Sequence, residues 1–504
     1  MPLNLTGAPA ASGIGSVDVM ARISLRHILL LALIVRMAML AVPGIAHPDE
    51  IFQYIEPAHR ALFGDGIVTW EWRYGMRSWL IPTLVMPIMA LGHAIAPQGS
   101  LYLLLPNTAM AASWLVVVAA GWHLGARISR AHAIVAASAL ALCPDFVFYS
   151  THILSETLAI TLALPAALLL VQRDRWTERR LFGAGLLIAF ALALRFQYAP
   201  ALGTLMLLTA GRDLRISWRP LLLGGLLGLV PVIAIDIWHG QWPLQWLTAN
   251  LHQNFVSNKA AQFDTTGPLG YLEEIWPHWS LWMIPLALGA LIGAHRYPVL
   301  AWTALANLGF HNALGHKEYR FILLSMVIAV LLAALGAVDR VAQVRDRAGD
   351  QAGKQAARFL LVCWLGAFLG LAIGGARHQW TYLAPSVRLF DSLRHDPGLC
   401  GLALYRVDPF DTPGYSHLHR SVPINAYMIR ELRDRPDPLP GDMAQFNMVM
   451  TAAPTARFLP AAFREEACSG QGSARICLYR RPGTCAARPD AYFDVQKVLA
   501  RFDR

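Results

Sequence analysis

Long apolar runs nearly free of charge dominate this chain. They cover 27–45, 77–97, 101–121, 132–148, 153–171, 181–197, 199–210, 220–238, 276–294, 298–315, 321–338 and 358–375. A hydrocarbon layer about 30 Å thick needs helices of about 20 such residues, whereas one soluble core does not need so many. Only 15% of the 504 residues are charged and 56% are hydrophobic, against about 25% charged in an average soluble domain. The pattern excludes an ordinary soluble enzyme and predicts a multi-pass α-helical membrane protein with about ten to thirteen transmembrane helices. Several runs fall short of a full span, so some are tilted, merged or partial.

The net charge of +10 is almost all arginine, since Lys259, Lys317, Lys354 and Lys497 are the only lysines. The arginines sit in short loops between apolar runs, which is a topology signal and not a nucleic-acid surface. Arg173, Arg175, Arg179 and Arg180 mark one expected cytoplasmic loop, Arg212, Arg215 and Arg219 a second, and Arg340, Arg345, Arg347, Lys354 and Arg358 a third. Arg22 and Arg26 place the N-terminus on the same side, as an uncleaved signal anchor. Residues 47–76, 149–152, 239–275, 316–320 and everything after 375 then face outward. The Arg127/Arg130 loop conflicts with this alternation unless the Pro82/Pro87 segment is re-entrant.

Residues 376–504 change character. They are polar and rich in Pro and Gly, with short strand-like runs at Leu402–Tyr405 and Ile476–Tyr479. A small α/β soluble domain on the outer face is expected, following a transmembrane catalytic domain over 1–375. Cys400, Cys468, Cys477 and Cys485 allow two disulfides in three pairings in an oxidising compartment. No cysteine spacing reads as a zinc site, and neither metal nor cofactor is expected.

The first outer loop opens on His47-Pro48-Asp49-Glu50, with Gln53 following. Pro and acids suit the first turn of a helix. A carboxylate at a membrane boundary also suits a general base on a sugar hydroxyl, with Asp49 and Glu50 both candidates. Trp70-Glu71-Trp72 and Arg77 read either as an interfacial belt or as a sugar platform. His152 and Glu156 open the next outer helix. Arg195 near Pro200 suits either an acid partner or a phosphate. In His316-Lys317-Glu318-Tyr319-Arg320, four of five residues are ionisable between two apolar spans, a charged hairpin or a phosphate site. Thr412–Arg420 reads as a turn and a polar strand, with His417 and His419 on one face.

In order and spacing, His47-Pro48-Asp49-Glu50, Trp70-Glu71-Trp72 with Arg77, His316–Phe321 and Gly414-Tyr415-Ser416-His417-Leu418-His419-Arg420 resemble the glycosyltransferase family 22 mannosyltransferases of the GT-C superfamily. These enzymes act on GPI anchors and N-glycan precursors from dolichyl-phosphate mannose. The resemblance implies an inverting transfer of a sugar, mannose by extrapolation, from a polyprenyl-phosphate donor to a lipid-linked or glycan acceptor. It implies Asp49 as base, with Glu50 next to it. His316, Lys317, Arg320, Arg195, His419 and Arg420 would hold the donor phosphate. His47, Gln53, Trp70, Glu71, Trp72, Arg77, His152, Glu156, Glu318, Tyr319 and Tyr415 would contact sugar or acceptor. The arginine-rich composition suggests a bacterial plasma membrane with the site outside; a eukaryotic source would place it in the endoplasmic reticulum. A polyprenyl-lipid flippase and an inactive scaffold of the same fold are the competing readings. A flippase has no use for a base, and many show repeats that are absent here.

Overall fold

The computed structural model describes residues 22–257, 259, 265–429, 437–486 and 491–502. The N-terminal segment before residue 22 and part of the expected outer loop 239–275 therefore lie outside the described residues. Most of the chain is helical. Leu101–Ala126, Leu214–Trp238, Gly270–Gly293 and Tyr319–Ile373 are long and apolar enough to cross a membrane; Leu80–Ile95, Arg130–Leu142 and Ser155–Val171 are shorter apolar helices. The longest of these is broken at Gly349, whose φ of +85° lies outside helical geometry. The break falls in the charged stretch between the runs 321–338 and 358–375.

Burial separates central from peripheral helices. From Leu323 to Leu335 nearly every side chain is buried, so this stretch forms the middle of the bundle. Leu222, Leu223, Leu226, Leu227 and Val230 of one helix, and Leu281, Ile284, Leu288 and Leu291 of another, are exposed. Leucines left open along whole helix faces are stable against lipid but not against water. Small residues let backbones meet between neighbours. A Cβ on Gly185 would lie 2.0 Å from the Leu221 carbonyl oxygen, and one on Gly224 would lie 2.0 Å from that of Phe182. These two glycines lock Glu178–Leu194 against Arg219–Trp238.

Arg36 breaks the first apolar run, yet it is fully buried. Its Nη1 donates to Ala32 O in its own helix and to Ala141 O at 3.0 Å. The second bond caps the C-terminal carbonyls of Arg130–Leu142, where the helix dipole favours a cation. The cap fixes where that helix stops, and so where Pro144–Tyr149 begins.

Five strands form one sheet: β1 (Leu402–Tyr405), β2 (Ile424–Tyr427), β3 (Met448–Ala452), β4 (Arg464–Ser469) and β5 (Ile476–Arg480). Their order is β2-β1-β3-β5-β4. β1 runs parallel to β2 and β3, and β5 antiparallel to β3 and β4. β1 and β2 are buried along their whole length, as expected for strands covered on both faces. Cys468–Cys477 staples the β4–β5 pair, and Cys400–Cys485 closes a loop of 85 residues. One expectation is corrected here. Gly414–Leu418 is a short helix ended by His419 in the left-handed conformation (φ +48°), not a polar strand. His417 and His419 therefore do not alternate on one face. The Gly414 φ of +63° starts a turn that an extended segment does not contain.

Replacing Arg36 by Met should strip the cap and leave buried carbonyls unpaired, costing about 1–3 kcal/mol. A detergent thermal melt should show a lowered Tm; an unchanged Tm would mean that the cap contributes nothing.

Candidate active site

The segment after the first apolar run enters a helix at Pro48-Asp49 and continues as a π-helical turn over Glu50–Ile55. Single π turns are frequent at functional sites. Successive residues on a helical turn project differently, and Asp49 and Glu50 meet different partners. Both Glu50 oxygens are taken by backbone N–H groups, of Ala46 at 3.0 Å and Ile153 at 3.3 Å. Burial pushes its carboxyl up, against the opposing effects of His152 and those two donors. Glu50 is thus a tie between the loop start and the 149–154 turn. Asp49 is partly open, with 17% of its side chain exposed, and a partner molecule has room to reach it.

Asp49 faces a ring of charges. Arg320 Nη2 donates to its Oδ2 at 2.9 Å. Arg77 Nη2 stands 3.7 Å from the same oxygen, and His47 Nδ1 stands 3.6 Å from Oδ1. Burial alone raises the Asp49 carboxyl, but Arg320, His47 and Arg77 outweigh it and hold it well below the usual carboxylate range. It is therefore ionised, the form a base requires.

Arg320 is the shared partner of three carboxylates. Its Nε donates to Glu318 Oε2 at 2.5 Å, and its Nη1 lies 3.5 Å from Glu156 Oε1. Glu156, fully buried, also receives Arg195 at 3.3 Å. Glu318 receives His316 at 2.8 Å and sits 3.5 Å from His47. Burial opposes its charge, and Arg320, His47 and His316 overcome it. Arg77 bridges from Asp49 to Glu71 at 3.3 Å. Arg77 and Arg195 also line one small cavity of about 50 Å³ with Tyr54, Ser155 and Asn250.

The structure thus gathers His47, Asp49, Glu71, Arg77, Glu156, Arg195, His316, Glu318 and Arg320 into one network. Gln53 is buried one turn after Asp49, and His152 is buried with Nδ1 at 2.9 Å from the Phe148 carbonyl. Trp72 packs edge-on against Trp79, and Trp70 against Tyr74. Lys317 is spent elsewhere: Nζ donates to Leu314 O at 2.7 Å and Thr266 O at 3.0 Å. Among the described residues, no hydrogen bond or ion pair joins His419, Arg420 or Tyr415 to this network. Arg420 donates to Leu399 O, and Tyr415 lies buried in the short helix.

Tyr319 faces away from Arg320, and its neighbours went unmarked in the sequence. Its hydroxyl donates to buried Asp145 at 2.5 Å and accepts from Trp279 Nε1 at 2.9 Å. His278 stacks on the Tyr319 ring at 3.8 Å and reaches Asp145 Oδ1 at 3.2 Å. Glu274 accepts the Tyr319 N–H at 3.1 Å. Asp145 was detectable as an acid amid an apolar run, directly after a proline. His278 lay in an aromatic-rich stretch and carried no signal of its own.

His419 instead joins three imidazoles in line. His59 Nδ1 faces the Asp65 carbonyl at 2.6 Å, His59 Nε2 faces His419 Nδ1 at 2.9 Å, and His419 Nε2 faces His93 Nδ1 at 3.1 Å. A carbonyl only accepts, so His59 carries its proton on Nδ1 and accepts on Nε2; His419 must then donate from Nδ1. Tyr102 stacks on His419 at 4.3 Å, and the Arg394 guanidinium lies over the Tyr102 ring at 5.6 Å. This imidazole chain pins the segment after β1 to the 47–76 segment. Beside it, Glu56 accepts from Ile67 N at 2.5 Å and from Ser416 N. The other candidate ion site, Glu465 with Cys468 and Cys477, has both sulfurs committed to a disulfide.

The model of the Alg9-like mannosyltransferase family matches residues 27–397. GPI mannosyltransferase 3 of Yarrowia lipolytica is 26% identical over 387 residues, covering 75% of this chain and 72% of that protein. GPI alpha-1,2-mannosyltransferase 3 of Mus musculus is 26% identical over 283 residues, 55% of this chain and 52% of that protein. In fold, the chain resembles ArnT from Cupriavidus metallidurans bound to undecaprenyl phosphate, with a TM-score of 0.62 at 13% identity over 95% of this chain and all of the other.

The imidazole chain sets a pH dependence. Burial holds His59 below 6.5 and, with His59, His93 and Arg394 nearby and the Pro97 carbonyl opposing, holds His419 down to about 4. A depressed histidine contributes stability that is present above its ordinary value and lost as pH falls through its folded one. Glu56 acts oppositely: burial raises it to about 7, so its contribution is lost as pH rises. Wild type should melt above His419→Gln at pH 7, and the gap should close as pH falls toward 4. A gap independent of pH would contradict the neutral chain.

Proposed function

The chain belongs to the Alg9-like mannosyltransferase family and has the GT-C fold, and from that premise we propose an inverting mannosyl transfer at Asp49. The donor is a polyprenyl-phosphate mannose, and the acceptor is a hydroxyl of a lipid-linked glycan of the GPI-precursor kind. The observation that carries this reading is the ionised, partly open Asp49 held between Arg320 and Arg77.

In the reaction, an Asp49 oxygen takes the proton of the acceptor hydroxyl. The hydroxyl oxygen attacks the anomeric carbon while the carbon–oxygen bond to phosphate breaks on the opposite face. The phosphate leaves with the bonding pair, so it needs no second carboxylic acid of the glycosidase kind. Asp49 loses a negative charge as the phosphate gains one. Arg320 and Arg77, which balance the carboxylate at rest, are then released to balance the leaving group. Arg195, lining a common cavity with Arg77, is the third cation near that path. Glu156 and Glu318 keep Arg320 in place with its fork oriented. Lys317, with two of its three donors given to carbonyls, supports the turn.

Ten to thirteen spans, a catalytic part over 1–375 and an outer-face α/β part over 376–504 complete the proposal. The two disulfides support an oxidising compartment for the sheet, as do the arginine-rich loops for the opposite face.

Transfer from short-chain polyprenyl-phosphate mannose to glycolipid acceptors tests the proposal directly. Asp49→Asn should lower kcat by about 10²–10⁴ with donor binding retained; near-wild-type turnover would remove Asp49 as the base. Arg320→Lys keeps the charge but loses the planar fork, so kcat should fall by about 10²-fold or more, and retention of full activity would show that charge alone suffices.

A further inference from the structure

A second basic site lies at the other end of the helix that carries Glu156. Ser155–Val171 has 17 residues, about 25 Å of helix at 1.5 Å per residue. Its far end therefore sits across the apolar layer from Asp49. There, a cavity of about 410 Å³ is lined by His123, Ala126, Arg127, Leu168, Gln172, Arg175 and Arg180. Three helix ends border it: the end of Leu115–Ala126, the end of Ser155–Val171 and the start of Glu178–Leu194.

Three guanidiniums and an imidazole face this volume, and no lining residue is acidic. Asp174 pairs with Arg127 at 2.7 Å but is itself 58% exposed, so it screens only one of the three. Gln172 is buried and accepts from Arg180 Nη2 at 2.8 Å, which holds Arg180 in one rotamer. Arg180 Nε is buried without a protein hydrogen-bond partner. A cationic donor buried without a partner is costly, and a nearby anion offsets its charge without touching that atom. A surface loop carrying arginines only as an orientation signal needs neither a concave volume nor a guanidinium tied to a buried side chain.

We propose that this cavity binds the phosphodiester headgroup of an anionic membrane phospholipid. Planar guanidiniums match phosphate oxygens in pairs, and basic pockets between helix ends are suited to lipid headgroups. The depth fits: Leu168 and Ala126 close the apolar side. Trp176, whose Nε1 donates to Leu170 O at 3.0 Å, takes the place of an interfacial aromatic. The bound headgroup joins the ends of three helices. This inference stands whether or not the transfer reading holds.

Native mass spectrometry of the delipidated full chain in detergent tests it, with phosphatidylglycerol beside phosphatidylcholine. Phosphatidylglycerol should be retained preferentially. Retention should fall by about tenfold or more in Arg175→Gln/Arg180→Gln and by about fivefold in Arg175→Gln alone, whose exposed position spares the fold. Arg345→Gln/Arg347→Gln, in another basic loop, should retain it fully. Equal loss in that control would overturn the site in favour of a generally basic surface. Glycerol phosphate should compete only weakly, since it has no acyl chains. Competition equal to that of the lipid would overturn the lipid reading in favour of a soluble phosphate ligand.

Discussion

One guanidinium holds the site together. Arg320 reaches Asp49 from the segment after the first apolar run, Glu156 from the start of an apolar helix and Glu318 from its own turn. Each carboxylate is partly or wholly withdrawn from water, and an isolated charge there would be too costly to persist. Their common cation makes all three burials tolerable at once. It also makes them interdependent: the position of any one sets the orientation of the fork for the others. Removing the cation would leave several like charges facing one another. For this reason the network is both a structural joint and the place where charge can be moved during a reaction.

A second joint couples the sheet to the loop that carries Asp49. Glu56 stands two turns beyond Asp49, and its carboxylate takes backbone donors from both the loop and the Gly414–Leu418 helix. A Cβ at Gly414 would lie 2.7 Å from the Glu56 Cδ, so the approach requires glycine. His59, one turn later, continues the contact through His419 to His93. The sheet-bearing part thereby fixes the back of the helix whose front holds Asp49. Its contribution to the site is one of position, exerted through hydrogen bonds and not through direct contact.

Much of this was legible along the chain, because charges in apolar surroundings are conspicuous. His47, Asp49, Arg77, Glu156, Arg195, His316, Glu318 and Arg320 were all candidates and all meet in one network. The strands at 402–405 and 476–479 were legible from short apolar runs between turn residues. Individual roles were less so. Glu50 and Asp49 are both acids in adjacent positions, and only their partners, the Ala46 and Ile153 amides for one and Arg320 for the other, separate them. Lys317 read as a phosphate ligand because lysine beside arginine suggests one, yet two carbonyls claim it. Asp145, His278 and His93 escaped attention because each stands alone among apolar or aromatic neighbours, and His59 because it lies beside Arg60 in a charged helix start.

The sequence by itself determined the solvent. Uncharged runs too long for a soluble core commit the backbone to helices in a bilayer, since every amide there must be paired within its own segment. It also determined which residues had to find partners, because an ionisable group in such a run cannot remain alone. Which partner each one found was decided only by the tertiary structure. Asp49 and Arg320 are 271 positions apart, and His59 and His419 are 360 apart. Pairing at that distance depends on helix order, on crossings set by small residues such as Gly185 and Gly224, and on where caps such as Arg36 end each helix. None of these is a local property of the residues that meet.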